Sequence, residues 1–147
     1  MKTNSPRFRA LSSLSDNGDN KAVGVPSRLY FEAPTTEKPL SGVRISITDP
    51  LELNGVITGL SSHAYSQIYG TASPSSSEFA KTLIDLGAVI VGKTRSSPML
   101  SGREWVDEQK PWNPRSDEYQ NPPLNSAGAA PALAGYEWLE RSIGQSC

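Results

Sequence analysis

The stretch SSSEFAKTLIDLGAVIVGKT, residues 75–94, constrains the fold more than any other part of the chain. Its first half carries apolar residues at spacings of three and four, which predicts an amphipathic helix. Ser75 to Ser77 provide N-cap oxygens before that helix, and Gly87 is suited to the left-handed position that ends it. The β-branched run Ala88 to Val91 then predicts a buried strand that Gly92 terminates. The stretch is therefore predicted to form one helix–strand unit of an α/β fold.

The same residues spell the phosphate-loop pattern G-x-x-x-x-G-K-[ST], from Gly87 to Thr94. A phosphate cradle requires a loop between its two glycines, with a strand before it and a helix after it. Here the strand lies between the glycines, and Pro98 disfavours a helix start just downstream. We therefore predict no nucleotide binding, and we interpret Lys93 as a solvated charge at the end of a strand.

Weaker patterns surround this unit. The alternation VRISI at 43–47 predicts a half-buried strand. The Ala-rich segment between 127 and 139 predicts a helix, which must hold Pro131 in its first turn. The other predictions are a disordered tail at 1–27, a short strand at 56–58 and irregular structure at 61–77. The order strand, helix, strand, helix favours an α/β sandwich with an at least partly parallel sheet. Only two or three strands are visible, so the sheet looks incomplete.

Composition excludes several classes of function. The 147 residues carry a formal charge of −1, so no broad basic face for nucleic acid is expected. No run approaches the roughly 18 apolar residues of a membrane span, and no secretory signal is evident, so a cytoplasmic location is expected. A single cysteine, Cys147, excludes an internal disulfide and a Cys-rich zinc site. His63 has no cysteine or carboxylate at useful spacing, and no metal or cofactor is expected.

Four segments, taken in order, carry a family resemblance. They are VPSRLY (25–30), PLSGVRISITD (39–49) followed by NGVIT (54–58), LGAVIVGKT (86–94), and NPR (113–115) followed by YQ and Pro122. Together they resemble the amidase-signature enzymes, and most of all their fungal branch. The resemblance implies an α/β/α sandwich with a mixed sheet, incomplete in this chain. Residues 28–147 would form the N-terminal part of that domain, truncated before its nucleophile.

The resemblance also implies a chemistry. The family hydrolyses carboxamides, without a cofactor, through a nucleophilic serine, a bridging serine and a lysine that acts as general base. The position that matches the lysine is Thr48, which has no amine, and the position of the bridging serine is Asn125. A shift of one residue would offer Ser126 as a surrogate. The matching segment departs from the family after Gly144, so no catalytic position is intact.

Three hypotheses follow from the sequence. The first is a truncated, degenerate amidase-family protein, a pseudoenzyme without hydrolase activity of its own. The second is a non-enzymatic module that self-associates, or pairs with a full-length amidase, through an unfinished sheet edge. The third is an active amide hydrolase of altered chemistry that uses Ser126 or the terminal residues Ser146 and Cys147.

Overall fold

A small parallel sheet organises the chain. The computed structural model describes residues 6–9, 11, 24–100, 105, 110–117, 119 and 126–145. In this part of the chain the strands β1 (Arg44–Thr48), β2 (Val89–Thr94) and β3 (Arg141–Ile143) form a sheet of order β2-β1-β3. Both pairings of the central β1 are parallel, so the predicted α/β class with a parallel sheet is confirmed. The mixed strand directions expected from the resemblance do not occur among these three strands.

Three helices lie between the strands in the described part of the chain. They are α1 (His63–Tyr69), α2 (Glu78–Asp85) and α3 (Ala129–Gly135). Ile45 and Ile47 of β1 form a buried cluster with Ala80 of α2. Ser46, which points to the other face of the strand, lines a groove together with Ala132 of α3. The connection from β1 to β2 through α2 and the connection from β2 to β3 through α3 cross the sheet in opposite directions. Because parallel crossovers are right-handed, α2 and α3 lie on opposite faces of the sheet.

The predicted N-cap of the helix–strand unit and its termination at Gly87 are both confirmed. The side chain of Ser77 accepts a hydrogen bond from the backbone N–H of Ala80 and caps α2, with Glu78 in the first turn. Gly87 has a φ of +94° and ends the helix, and its N–H donates to the carbonyl of Ile84 at 2.9 Å. Capping and the glycine stop are local properties, which is why the sequence predicts them correctly.

Replacing Gly87 by alanine is expected to lower the free energy of unfolding by about 1–2 kcal/mol, because an L-residue with a left-handed backbone is strained. The new Cβ would also lie 3.0 Å from Cα and N of Ser41. Urea denaturation of Gly87→Ala against wild type measures the loss. Gly135→Ala, where the nearest atom to a new Cβ lies 3.6 Å away, is the control. Equal stabilities of the two variants would contradict the assigned role of Gly87.

Four sequence predictions about secondary structure need correction. Gly92 does not end β2 but lies inside it, because β1 continues to Thr48 and gives β2 a partner as far as Thr94. The segment 61–77 is not irregular throughout, since it contains α1. Residues 56–58 contribute a single antiparallel bridge, Ile57 to Ala72, and no strand. The helix predicted between 127 and 139 is shorter, Ala129–Gly135, with Pro131 in its first turn as expected.

The core of the described part is small. Its buried hydrophobic residues are Ile45, Ile47, Leu53, Ala80, Ala88, Ala127, Ala129 and Leu139. Phe8 packs against this core, and its backbone N–H donates to the carbonyl of Asn54 at 2.8 Å. Within the described ranges, no helix is long and apolar enough to cross a bilayer.

Candidate functional site

The candidate site lies where the parallel strands end, which we call the carboxyl edge. Ligands of open α/β sheets bind outside the carboxyl ends of their strands. Here Thr48 and Thr94 are register partners at the ends of β1 and β2, and Ile47 is the partner of Ile143 at the end of β3. The loops that follow the three strands therefore begin side by side.

Thr48, which the sequence resemblance matches with a lysine of the amidase-signature enzymes, ends the central strand. It is only 6% exposed. A threonine hydroxyl has a proton to donate and lone pairs that accept hydrogen bonds, but it is not a base at neutral pH. The carboxyl edge therefore has a buried hydroxyl where the resemblance implies a general base.

Ser126 lies immediately before α3, against the residues that follow β3. Its N–H donates to the carbonyl of Gln145 at 2.9 Å, and its Oγ donates to the same carbonyl at 3.4 Å. A Cβ built on Gly144 would lie 2.0 Å from Ser126 Oγ, so this glycine permits the close approach. Ser126 has a φ of +55°, a conformation that costs a non-glycine residue about 1–2 kcal/mol.

Ser126 is thus brought to the carboxyl edge, as a surrogate catalytic residue would have to be. The only hydrogen-bond partner described for its hydroxyl is a backbone carbonyl, which cannot take its proton. Asn125, which the sequence resemblance matches with the bridging serine, lies outside the described residues, as do Ser146 and Cys147.

A lysine that sequence analysis set aside proves to be buried and paired. Lys93 Nζ lies 2.9 Å from Asp49 Oδ1, and the two side chains are only 9% and 16% exposed. Nζ also donates to Thr58 Oγ1 at 3.0 Å and to the carbonyl of Ile57 at 3.3 Å. The interpretation of Lys93 as a solvated charge is therefore wrong. Its ammonium group contacts three oxygens of the loop that follows β1.

Asp49 is the centre of this network. Its Oδ2 accepts hydrogen bonds from the backbone N–H groups of Gly59 at 3.0 Å and of Leu60 at 2.6 Å. Its own N–H donates to the carbonyl of Thr94 at 2.8 Å. One carboxylate therefore joins the ends of β1 and β2 to the loop before α1. In the sequence Asp49 is simply the residue that ends the segment PLSGVRISITD, and nothing local indicates that its charge pairs with Lys93.

Two strained turns meet beside this network. Leu60 and Ser61 have φ values of +51° and +49°, and Met99 and Leu100 have values of +48° and +70°. The N–H of Met99 donates to the carbonyl of Leu60 at 2.9 Å and ties the turns together. Such conformations in non-glycine residues persist only where their surroundings fix them, and they concentrate at functional sites.

Buried hydroxyl groups without a hydrogen-bond partner accompany these turns. In the described part of the chain they belong to Ser61, Ser96 and Ser97. His63, by contrast, is exposed at the start of α1, and its Nε2 lies 3.1 Å from Gln67 Nε2. In the same ranges no group of three or more His, Cys, Asp or Glu side chains could hold a metal ion.

The chain matches no protein-family model, and no solved structure matches its fold. Its function must therefore be inferred from the carboxyl edge itself and from the motifs of the sequence.

Proposed function

We propose that the chain is a degenerate relative of the amidase-signature proteins that does not hydrolyse amides. The observation that carries the proposal is Thr48. It stands at the carboxyl end of the central strand, at the position that matches the family's lysine, and it is buried and has no amine. A Ser–Ser–Lys mechanism requires a neutral amine that accepts the proton of a serine hydroxyl. Thr48 cannot supply that step.

The neighbouring lysine does not replace the lost base. Lys93 extends from β2, not β1, and its ammonium group is paired with Asp49. Its Nζ lies 2.9 Å from Asp49 Oδ1 and also donates to Thr58 Oγ1 and to the carbonyl of Ile57, so its hydrogen-bonding capacity is used within the loop that follows β1. Asp49 therefore supports the view that Lys93 has a structural role.

The expected result of an activity test is negative. Purified protein incubated with simple carboxamides and esters should release ammonia or alcohol no faster than a blank without protein. Turnover that survives Thr48→Ala and disappears in Ser126→Ala would overturn the proposal. It would favour an active amide hydrolase in which Ser126 acts with altered chemistry.

A second candidate is a non-enzymatic module that pairs through its sheet. The observation that favours it is the strand order, because β2 and β3 each have only β1 as a partner among the described strands. Unpaired strand edges present N–H and C=O groups to other chains. An inactive chain that sediments as a dimer, or comigrates with a full-length amidase, would favour this function.

A further inference from the structure

A cavity of about 430 Å³ is lined by residues of the N-terminal segment, of β2 and of the chain that follows α3. Its volume is within the range of about 300–1,000 Å³ that is usual for the binding sites of small organic molecules. Neither Thr48 nor Ser126 lines it, so it is separate from the positions that the resemblance assigns to hydrolysis. Most of its described lining is aliphatic or aromatic, including Leu53, Ile90 and Val91. Cavities with apolar walls take up apolar molecules, so an apolar body is expected for a ligand.

An aromatic pair contributes to the lining of this cavity. Tyr136 and Trp138 both line it, and their ring centroids lie 5.3 Å apart at an interplanar angle of 45°. The backbone that carries them is fixed at two points. The N–H of Tyr136 donates to the carbonyl of Ala132 at 3.0 Å, and the N–H of Leu139 donates to the carbonyl of Tyr136 at 2.9 Å. Because aromatic rings attract one another in tilted and offset contacts, this pair favours a ligand with a flat ring.

A third aromatic residue reaches the cavity from the N-terminal segment. Phe8 lines the cavity and packs against the hydrophobic core. Its backbone N–H donates to the carbonyl of Asn54 at 2.8 Å. A Cβ built on Gly55 would lie 2.3 Å from the carbonyl oxygen of Phe8, so this glycine permits the close approach of the two segments. These contacts hold Phe8, and with it the adjacent Arg9, beside the cavity.

The charged groups at the cavity favour an anion over a cation. The described lining contains two cations, Arg9 and Lys93, and no carboxylate. The charge of Lys93 is already offset by Asp49. Arg9 is exposed, and within the described part of the chain it forms no ion pair or hydrogen bond. Its guanidinium therefore has a planar set of N–H donors available, which matches the geometry of a carboxylate.

We propose that this cavity binds a small aromatic carboxylate, with its ring among Phe8, Tyr136 and Trp138 and its carboxylate at the guanidinium of Arg9. This binding is separate from the proposed loss of amide hydrolysis, and either conclusion can fail without the other. Sodium 2-naphthoate is the probe, because it combines a flat two-ring body with one carboxylate.

The test is a titration of the full, isotope-labelled chain at constant ionic strength, followed by two-dimensional NMR. 2-Naphthoate should shift the indole N–H signal of Trp138 in a saturable way, with a Kd on the order of 0.1 mM. Its ring protons should show nuclear Overhauser effects to the side chains of Trp138 and Tyr136. Trp105→Phe and Trp112→Phe assign the Trp138 signal, because the chain has three tryptophans.

Two analogues separate the contributions of the charge and the ring. 2-Naphthamide, which has the same rings without the charge, should bind at least about threefold more weakly, a modest factor because the charge of Arg9 is exposed. Decahydro-2-naphthoate, which keeps the charge and the carbon skeleton without the flat rings, should also bind at least about threefold more weakly.

Variants decide whether the named cavity is responsible. Arg9→Gln should raise the Kd for 2-naphthoate at least about threefold, and Arg7→Gln, which changes an exposed arginine of the same segment outside the lining, should not. Ala132→Leu should fill the cavity from α3 and raise the Kd at least about tenfold, whereas Ala130→Leu, at an exposed position of the same helix, should not. If Ala132→Leu fails to fold, the two arginine variants decide alone, because both change exposed residues.

Four results would overturn the proposal. They are shifts that do not saturate, an absence of contacts between the ligand and Trp138, equal affinity for either analogue, and wild-type affinity in Arg9→Gln or in a folded Ala132→Leu variant.

Discussion

Replacing Lys93 by methionine is expected to lower the free energy of unfolding by about 3–5 kcal/mol, the usual cost of removing one partner from a buried ion pair. Methionine keeps most of the apolar stem, so the variant isolates the loss of the charge. Asp49 would remain 16% exposed without its cation. Its two backbone donors, Gly59 and Leu60, would still hold Oδ2, which places the expected loss near the lower end of the range.

Urea denaturation at neutral pH measures this loss, with trimethylamine N-oxide added if the native baseline is too short. Lys81→Met is the matched control. Lys81 also pairs with a carboxylate, but its partner Glu78 is 88% exposed on the surface of α2. An exposed pair contributes about 0–1 kcal/mol. If the two methionine variants are equally stable, the buried network around Asp49 does not hold the strands together.

The sequence predicts the α2–β2 unit well because the signals that form it are local. Ser77, the apolar spacing of α2 and Gly87 act within a few residues of each other. The strand β1 is predicted for the same reason, because apolar and polar residues alternate over the five consecutive residues 43–47. By contrast, β3 has three residues, Arg141–Ile143, too few to show a period. Helix α1 has seven residues and none is buried, so no apolar stripe marks it.

The burial of Lys93 depends on register, which local patterns do not contain. Ile45 pairs with Ile90, but Ser46 pairs with Gly92, so Val91 is an extra residue in β2. This bulge makes Lys93 the partner of Ile47. Without it, Gly92 would face Ile47, and the lysine side chain would point to the other side of the sheet. A pattern read along one strand cannot show such a shift.

The candidate site also has a part that the sequence predicts and a part that depends on the folded structure. The chemistry of Thr48 is a property of one residue, and the motif places it at the end of a strand without any knowledge of packing. The network around Asp49, by contrast, is assembled from three separate segments, which supply Asp49, the loop residues 57–60 and Lys93. No local pattern in the sequence brings these segments together.

The second large effect is expected at the centre of the sheet. Ile47→Ala should lower the free energy of unfolding by about 3–5 kcal/mol, within the usual range for a large-to-small change in a core. Ile47 is 0% exposed and lies on the strand that pairs on both sides, so the surroundings have little freedom to collapse into the space. Ile68→Ala is the control, because Ile68 is 71% exposed and an exposed substitution changes stability by about 0.5 kcal/mol or less.

Because the described core is small, the loss expected for Ile47→Ala is a large share of the total stability. Four of the eight buried hydrophobic residues in the described part are alanines, which bury little area, so Ile45, Ile47, Leu53 and Leu139 supply most of the buried apolar surface. A sheet that looks incomplete in the sequence predicts a chain that is marginally stable as a monomer, near or below the roughly 5 kcal/mol that bounds ordinary domains, or one that self-associates or aggregates through the open sheet edge. From that starting point, Ile47→Ala should lose cooperative unfolding and native circular dichroism in plain buffer at 25 °C, whereas Ile68→Ala should keep both. A folded Ile47→Ala variant with a sharp transition would show that apolar surface outside the described core stabilises the protein.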